Sequence, residues 1–191
     1  MSKFQKFLPL VAALALATPA AAQESDENSQ LSMGEEVTQN APQPYILETN
    51  GDWEVKCLKV EGIEKDPCEM YQLMKDEAGN PTAEVSMFRL EQGGKAVAGA
   101  TITVPLETLL TEQLLISVDG SQPKRYPYSF CNPIGCYARI GLTQEDVDVF
   151  KKGSAATVTI VPAVAPDQQV NLSMSLSGFT KSFDQVAVVG N

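Results

Sequence analysis

The chain has 191 residues, a formal net charge of −10 and no histidine. Without histidine there is no Ser-His-Asp or Cys-His catalysis, no His general base and no His-ligated zinc or haem. With 14 Lys plus Arg against 24 Asp plus Glu, the chain also lacks the clustered cations that a nucleic-acid backbone requires.

The first 22 residues have the layout of a secretory leader: Lys3 and Lys6, an apolar run from Phe7 to Ala17, then the small-residue site Ala20-Ala21-Ala22. The run is shorter than the roughly 20 residues that span a bilayer, so it reads as a cleaved leader, not an anchor. The expected cut falls between Ala22 and Gln23, leaves no membrane-spanning segment, and removes two lysines from an already acidic chain. Residues 23–45 contain Glu24, Asp26, Glu27, Glu35 and Glu36, no Lys or Arg, and few large apolar residues. Such a segment buries too little surface to offset the entropy of ordering, so it reads as an acidic disordered linker.

Residues 46–191 read as one domain. Turn signals recur every 8 to 12 residues or so, and the segments between them alternate in polarity, the signature of half-buried strands. Trp53, Val55 and Cys57 share one face of an opening strand, and Ala156, Val158 and Ile160 one face of a later strand. Val170 to Ser177 alternates throughout. Further strands are expected near 68–75, 84–91, 95–104, 113–118, 124–130 and 135–141, divided by Gly79-Asn80-Pro81, Gly93-Gly94, Asp119-Gly120 and Pro133. Eight or nine short strands suggest a mainly β, antiparallel sandwich. One short helix is expected near 143–152: Thr143 and Asp146 form a capping box, Glu145 and Asp146 occupy the first turn, and Lys151 and Lys152 precede Gly153. A C-terminal helical turn starts at Thr180, with Phe179, Phe183 and Val186 on one side.

Cys57, Cys68, Cys131 and Cys136 are an even count behind an export signal, so disulfides are expected. Three connectivities are open to four cysteines. Local pairing, Cys57 with Cys68 and Cys131 with Cys136, is preferred because Asn132-Pro133-Ile134-Gly135 reads as a turn. Each such bridge would contribute about 2–3 kcal/mol on the loop-entropy argument. The competing reading makes Cys131 and Cys136 a thiol-redox pair, but redox motifs hold the reactive thiol at a helix N-terminus, and this pair lies between strands. The spacing matches no common zinc site.

No nucleophile elbow, phosphate loop or calcium loop is present, and no catalytic, cofactor or metal residue is assigned. Asp146 and Asp148 read as dipole compensation and a solvated face rather than as a glycosidase pair. Asn171-Leu172-Ser173 matches the glycosylation triplet inside a strand pattern. Lys124, Arg125, Tyr126 and Tyr128 form the one compact basic-aromatic cluster, a candidate interaction surface whose plainer reading is a charged edge strand.

Several segments together resemble the invasion-associated locus B family of bacterial envelope proteins. They are Gly51-Asp52-Trp53-Glu54-Val55-Lys56-Cys57, Cys68-Glu69-Met70-Tyr71-Gln72, Val104-Pro105-Leu106, Val118-Asp119-Gly120, Cys131 with Gly135-Cys136, and Leu176-Ser177-Gly178-Phe179-Thr180. Their order and spacing carry the resemblance over roughly residues 46–187. It implies an exported, non-enzymatic, immunoglobulin-like β-sandwich of an alphaproteobacterial envelope, periplasmic, outer-membrane-associated or secreted, with an unidentified protein or envelope component as partner. Some relatives are linked to host-cell entry, whereas free-living members have no assigned role. Glu107, where the family often has Gly, and the acidic linker depart from the shared pattern. Trp53 precedes Cys57 rather than lying between two sheet-bridging cysteines, so the antibody-type disulfide is not expected.

Overall fold

The computed structural model describes residues 42–189 except Gln92. The expected leader, the expected Ala22/Gln23 cleavage site and the acidic segment up to residue 41 lie outside the described residues. The first strand, β1 (Gln43–Asn50), starts three residues ahead of the expected domain boundary at Ile46. It was not legible as a strand because nearly all of it is exposed and its polarity does not alternate.

The chain continues through β2 (Trp53–Lys59), β3 (Cys68–Lys75), β4 (Pro81–Leu90), β5 (Ala98–Val104), a 3-10 turn (Leu110–Glu112), β6 (Leu114–Val118), β7 (Lys124–Tyr126), β8 (Phe130–Cys131) and β9 (Cys136–Leu142). Helix α1 (Gln144–Lys152), β10 (Ala155–Ile160), β11 (Val170–Ser175), α2 (Phe179–Gln185) and β12 (Val188–Val189) follow. The expected strand at 124–130 is therefore two strands, interrupted at Pro127, which has no N–H to give a ladder. The expected terminal turn is a two-turn helix that starts one residue early, at Phe179.

All the strands join one hydrogen-bonded sheet, along the path β7-β6-β10-β11-β3-β4-β5-β9-β8, with β1 and β2 branching from β3 and β12 pairing with β4. Every pairing is antiparallel except β12 with β4. This departs from the two stacked sheets of the expected immunoglobulin-like sandwich. The path begins at β7 and ends at β8, yet only residues 127–129 separate those strands in the chain, so the sheet must curl until its ends meet. The Ser129 N–H donates to the Tyr137 carbonyl at 2.7 Å, which extends the β8–β9 pairing into that short link.

Curling places the apolar phase of each strand inside. Trp53, Val55 and Cys57 of β2, Met70 and Met74 of β3, and Val85 and Met87 of β4 are all buried. The helices add an aromatic plug. Phe179 of α2 meets Trp53 edge-on at 5.6 Å, Phe150 of α1 at 5.6 Å and Phe183 at 5.7 Å, so one ring ties both helices to the start of β2. Thr143 caps α1 as expected: its hydroxyl oxygen accepts from the Asp146 N–H and its own N–H donates to the Asp146 carboxylate. Gly178, at φ +84°, lets the start of α2 press against the Asn50 carbonyl, where any Cβ would overlap that oxygen.

One discontinuity in the sheet is bridged by a side chain. β2 pairs with the first half of β3, from Cys57↔Cys68 to Glu54↔Tyr71, whereas β11 meets β3 only at Ser173↔Lys75. The two strands diverge on the same side of β3, and the buried amide of Gln72 spans the gap. Its Oε1 accepts from the Ser175 N–H at 2.7 Å and its Nε2 donates to the Ser175 carbonyl at 3.0 Å. Trp53 Nε1 donates to the same carbonyl at 2.8 Å. Outside the split lies a polar cleft of about 700 Å³ lined by Asp52, Tyr71, Lys75 and Ser175 among others.

Candidate interaction surface

The inner face is committed to packing, so the surfaces open to contact are the outer face, the edges and the loops. The outer face carries an apolar cleft of about 350 Å³ walled by Pro44, Leu58, Pro67, Phe88 and Val189, with Lys56 and Glu69 beside it. Register assembles these walls. Pro44 stands opposite Leu58, and Cys57 opposite Cys68, which places Pro67 just beyond the start of β3. In the lane that β3 leaves vacant before Cys68, β12 runs parallel to β4 with Val189 opposite Leu90. The Ala187 N–H donates to the Cys68 carbonyl and the Arg89 N–H to the Ala187 carbonyl, which seats β12 there.

Next to the cleft runs an unpaired edge. β1 pairs with β2 alone, so the other edge of β1 has no strand partner among the described residues. Ile46, on the same face as Pro44 and Lys56, is 55% exposed, and Leu47, left out of register by a bulge between Ile46 and Glu48, is 52% exposed. The far end of β1 is clamped. Glu48 accepts from both Lys181 and Gln185, which hold its carboxyl below the usual range. Asn50 Nδ2 donates to Ser182 Oγ and Gln185 Oε1. At the near end the Tyr45 hydroxyl donates to Asp66 at 2.9 Å, which raises the phenol. Asp66 itself is lowered chiefly by the Val60 N–H, with Tyr45 and Lys59 adding to it. A strand fixed at both ends, with an apolar middle facing water, is preorganised to accept another strand.

The outer face also holds ring and charge pairs. Lys56 Nζ sits 3.0 Å from the Tyr71 ring centroid and 3.2 Å from Glu54. Burial, then the hydrogen bond to Glu84, pushes the Tyr71 phenol up to about 12.

The residues singled out in the sequence fall as follows. Cys57 is bonded to Cys68 across β2 and β3, with Cα atoms 4.1 Å apart, and Cys131 to Cys136 across the β8–β9 hairpin, 4.0 Å apart. Within that hairpin the Asn132 side chain accepts from the N–H groups of Ile134 and Gly135, and neither sulfur lies at a helix N-terminus. The basic-aromatic segment is engaged by its own fold. Lys124 pairs with Asp146, Arg125 donates to the Glu112 carbonyl at 3.2 Å, and Tyr126 and Tyr128 pack against the core. The buried Tyr128 hydroxyl has no hydrogen-bond partner among the described residues, and burial raises it to about 12. Asp146 serves the α1 cap, Asp148 accepts from Gln144, and the exposed Asn171 side chain accepts from Thr159. Among the described residues no cluster of three or more Cys, Asp or Glu could hold a metal, and no helix is long and apolar enough to cross a membrane.

The cleft was missed in the sequence, although a signal was present. Leu58 and Phe88 occupy the outward phase of strands whose inward phase is already filled by Val55 and Cys57 and by Val85 and Met87. Apolar residues in the wrong phase mark an exposed surface.

Residues 53–187 match the family model described as Invasion associated locus B (IalB) protein. The chain belongs to this family. Two relatives from Brucella abortus, the invasion protein B homologs of strains 2308 and 9-941, are each 27% identical over 143 residues, covering 74% of this chain and 79% of theirs. The crystal structure of invasion associated protein B from Bartonella henselae superposes with a TM-score of 0.59 at 25% identity, over 71% of this chain and 90% of that one. β1 and β12, which supply Pro44 and Val189 to the cleft, lie outside the family-model match.

Proposed function

We propose that the protein is an exported, non-enzymatic envelope protein, periplasmic or attached to the outer surface, that works as a binding module. The observation that carries this reading is the apolar cleft beside the unpaired edge of β1. An extended segment of a partner protein adds to β1 by main-chain pairing, and the stretch that continues from it crosses the outer face past Pro44 to lay an apolar side chain in the cleft between Leu58 and Phe88. The leader-like first 22 residues, the cysteines paired as disulfides and the absence of histidine support export and a role without acid–base catalysis. The relatives' names tie them to invasion, and contact with a host cell is a setting in which such a module would act. A thiol-redox role for Cys131 and Cys136 is less well supported, because the pair closes a β-hairpin with no helix dipole to lower a thiol pKa.

The test is photo-crosslinking in intact cells with the probe at Ile46 or Leu58, and at exposed Val164 as the control. The expected result is a discrete adduct from the first two positions that is lost when Leu58→Glu is combined with the Ile46 probe, together with recovery of the protein in the envelope fraction. Equal adducts from Val164, or recovery only in the cytoplasm, would overturn the reading.

A further inference from the structure

A second groove, of about 380 Å³, lies on the outer face of β4, β5 and β9, lined by Phe88, Gly99, Thr101, Arg139 and Gly141 among others. It too is built by register. Phe88, Gly99 and Gly141 stand opposite one another in one row across the three strands, and Ser86, Thr101 and Arg139 in the next. A Cβ on Gly99 would come within 2.5 Å of the Phe88 ring, so the missing side chain is what lets the ring lie flat on the sheet. Gly141 is exposed and continues this floor without a side chain. Arg139 forms the wall. Its Cζ lies 5.3 Å from the Phe130 ring centroid, and that ring stacks on Tyr137 at 4.7 Å, which braces the guanidinium. No ion pair among the described residues involves Arg139. None of the lining residues is acidic, in a chain whose net charge is −10.

A flat floor, one aromatic face, one hydroxyl and one unpaired guanidinium match a flat ring that carries one carboxylate. We propose that this groove binds a uronic-acid unit of an acidic polysaccharide, with the C–H face of the sugar on Phe88 and the glycine floor, its carboxylate on the Arg139 fork, and a ring hydroxyl on Thr101. Charge complementarity favours an acidic ligand. The ladder favours a sugar over an acidic peptide: β5 is paired on both sides, with β4 and β9, so no main-chain groups are left here for a peptide to use. A polyphosphate chain would call for several cations rather than one. This site goes beyond the peptide-accepting cleft, and only Phe88 borders both.

The test is calorimetric titration of the purified mature protein with tetragalacturonic acid, with maltotetraose as the neutral control and tetraglutamate as the peptide control. Saturable binding of tetragalacturonic acid alone is expected. Arg139→Gln and, independently, Gly141→Val should each weaken it by about ten-fold. Arg139 is exposed and its contact with Phe130 is a small contribution, so Arg139→Gln should still unfold in one cooperative transition and serves as the safeguard if the valine variant fails to fold. Leu58→Glu should bind the sugar normally, which separates failure at this groove from failure of the peptide cleft. No saturable binding, equal binding of tetraglutamate or maltotetraose, or Arg139→Gln affinity equal to wild type would overturn the proposal.

Discussion

Replacing Gln72 with Leu tests how the curled sheet is held at its split. Gln72 is 5% exposed, and its amide makes two hydrogen bonds to the backbone of Ser175 in place of the ladder that β3 and β11 lack there. Leucine keeps roughly the volume and removes both bonds. The Ser175 carbonyl retains the Trp53 donor, but the Ser175 N–H is left without a partner. An unsatisfied buried donor costs about 1–3 kcal/mol and the second lost bond about 1 kcal/mol, against which the extra apolar burial gives some back, for a net loss of about 2 kcal/mol. For a domain of this size each kcal/mol lowers Tm by about 2–4 °C, so the midpoint should fall by about 4–8 °C. Urea unfolding supplies the free energy, and hydrogen exchange at the Ser175 amide locates it. Gln72→Glu adds a check of sign. Its carboxylate still accepts from Ser175 N–H but cannot donate, and burial disfavours the charge, so its folded pKa lies above the unfolded one. Its deficit should therefore grow as pH rises above the ordinary carboxylate range and shrink in acid. A Gln72→Leu variant as stable as wild type, with unchanged exchange at Ser175, would refute the bridging role.

The two disulfides close loops of sequence separation 11 and 5, so removing Cys57–Cys68 should cost about 3 kcal/mol and Cys131–Cys136 about 2 kcal/mol on the loop-entropy scale. Burial of Cys57 and Cys68 widens that gap, and urea midpoints of the paired Cys→Ala variants in the reverse order would contradict the assignment. The pH profile should be flat between about pH 6 and 8, because the chain has no histidine and its cysteines are bonded. Stability should then fall in acid. Asp119 is held below its usual pKa by the N–H groups of Ala155 and Ser154, and Glu48 by Lys181 and Gln185, so their contributions are full above the unfolded carboxylate pKa and lost as pH drops toward the folded one. Urea midpoints against pH should show Asp119→Asn with a shallower acid slope, and an unchanged slope would count against that assignment.

The parts of the fold that were legible share one cause, burial on a single face. Strand β3 reads correctly from Cys68 to Lys75 because Cys68, Met70 and Met74 face inward while Glu69, Leu73 and Lys75 face water. The α1 cap reads because Thr143 and Asp146 interact across three residues, which is local. β1 and β12 were invisible because long-range pairing, not their own polarity, makes them strands. The number of sheets was hidden for a related reason: alternation reports that one face is covered, but not whether a second sheet or the far side of the same sheet covers it. Only the short 127–129 link between the ends of the strand path decides the matter.

The curl also explains why the proposed binding surfaces lie outside. A sheet whose ends meet, with an aromatic plug of Trp53, Phe150, Phe179 and Phe183, uses its inner face for packing among the described residues. The proposed recognition therefore uses the outer phase, which sequence reading assigns to solvent. The informative residues there are those that break the pattern: Leu58 and Phe88 as apolar residues facing out, and Gly99 and Gly141 as missing side chains in register. Lys124 and Arg125 look like a binding surface in the sequence, but in the fold one pairs with a helix cap and the other with a carbonyl. Arg139, which looks like an ordinary strand cation, stands braced on a ring with no ion pair among the described residues, as does Arg89 over Phe183. A charge is available for recognition when the fold has not already used it, and that depends on neighbours brought from distant parts of the chain.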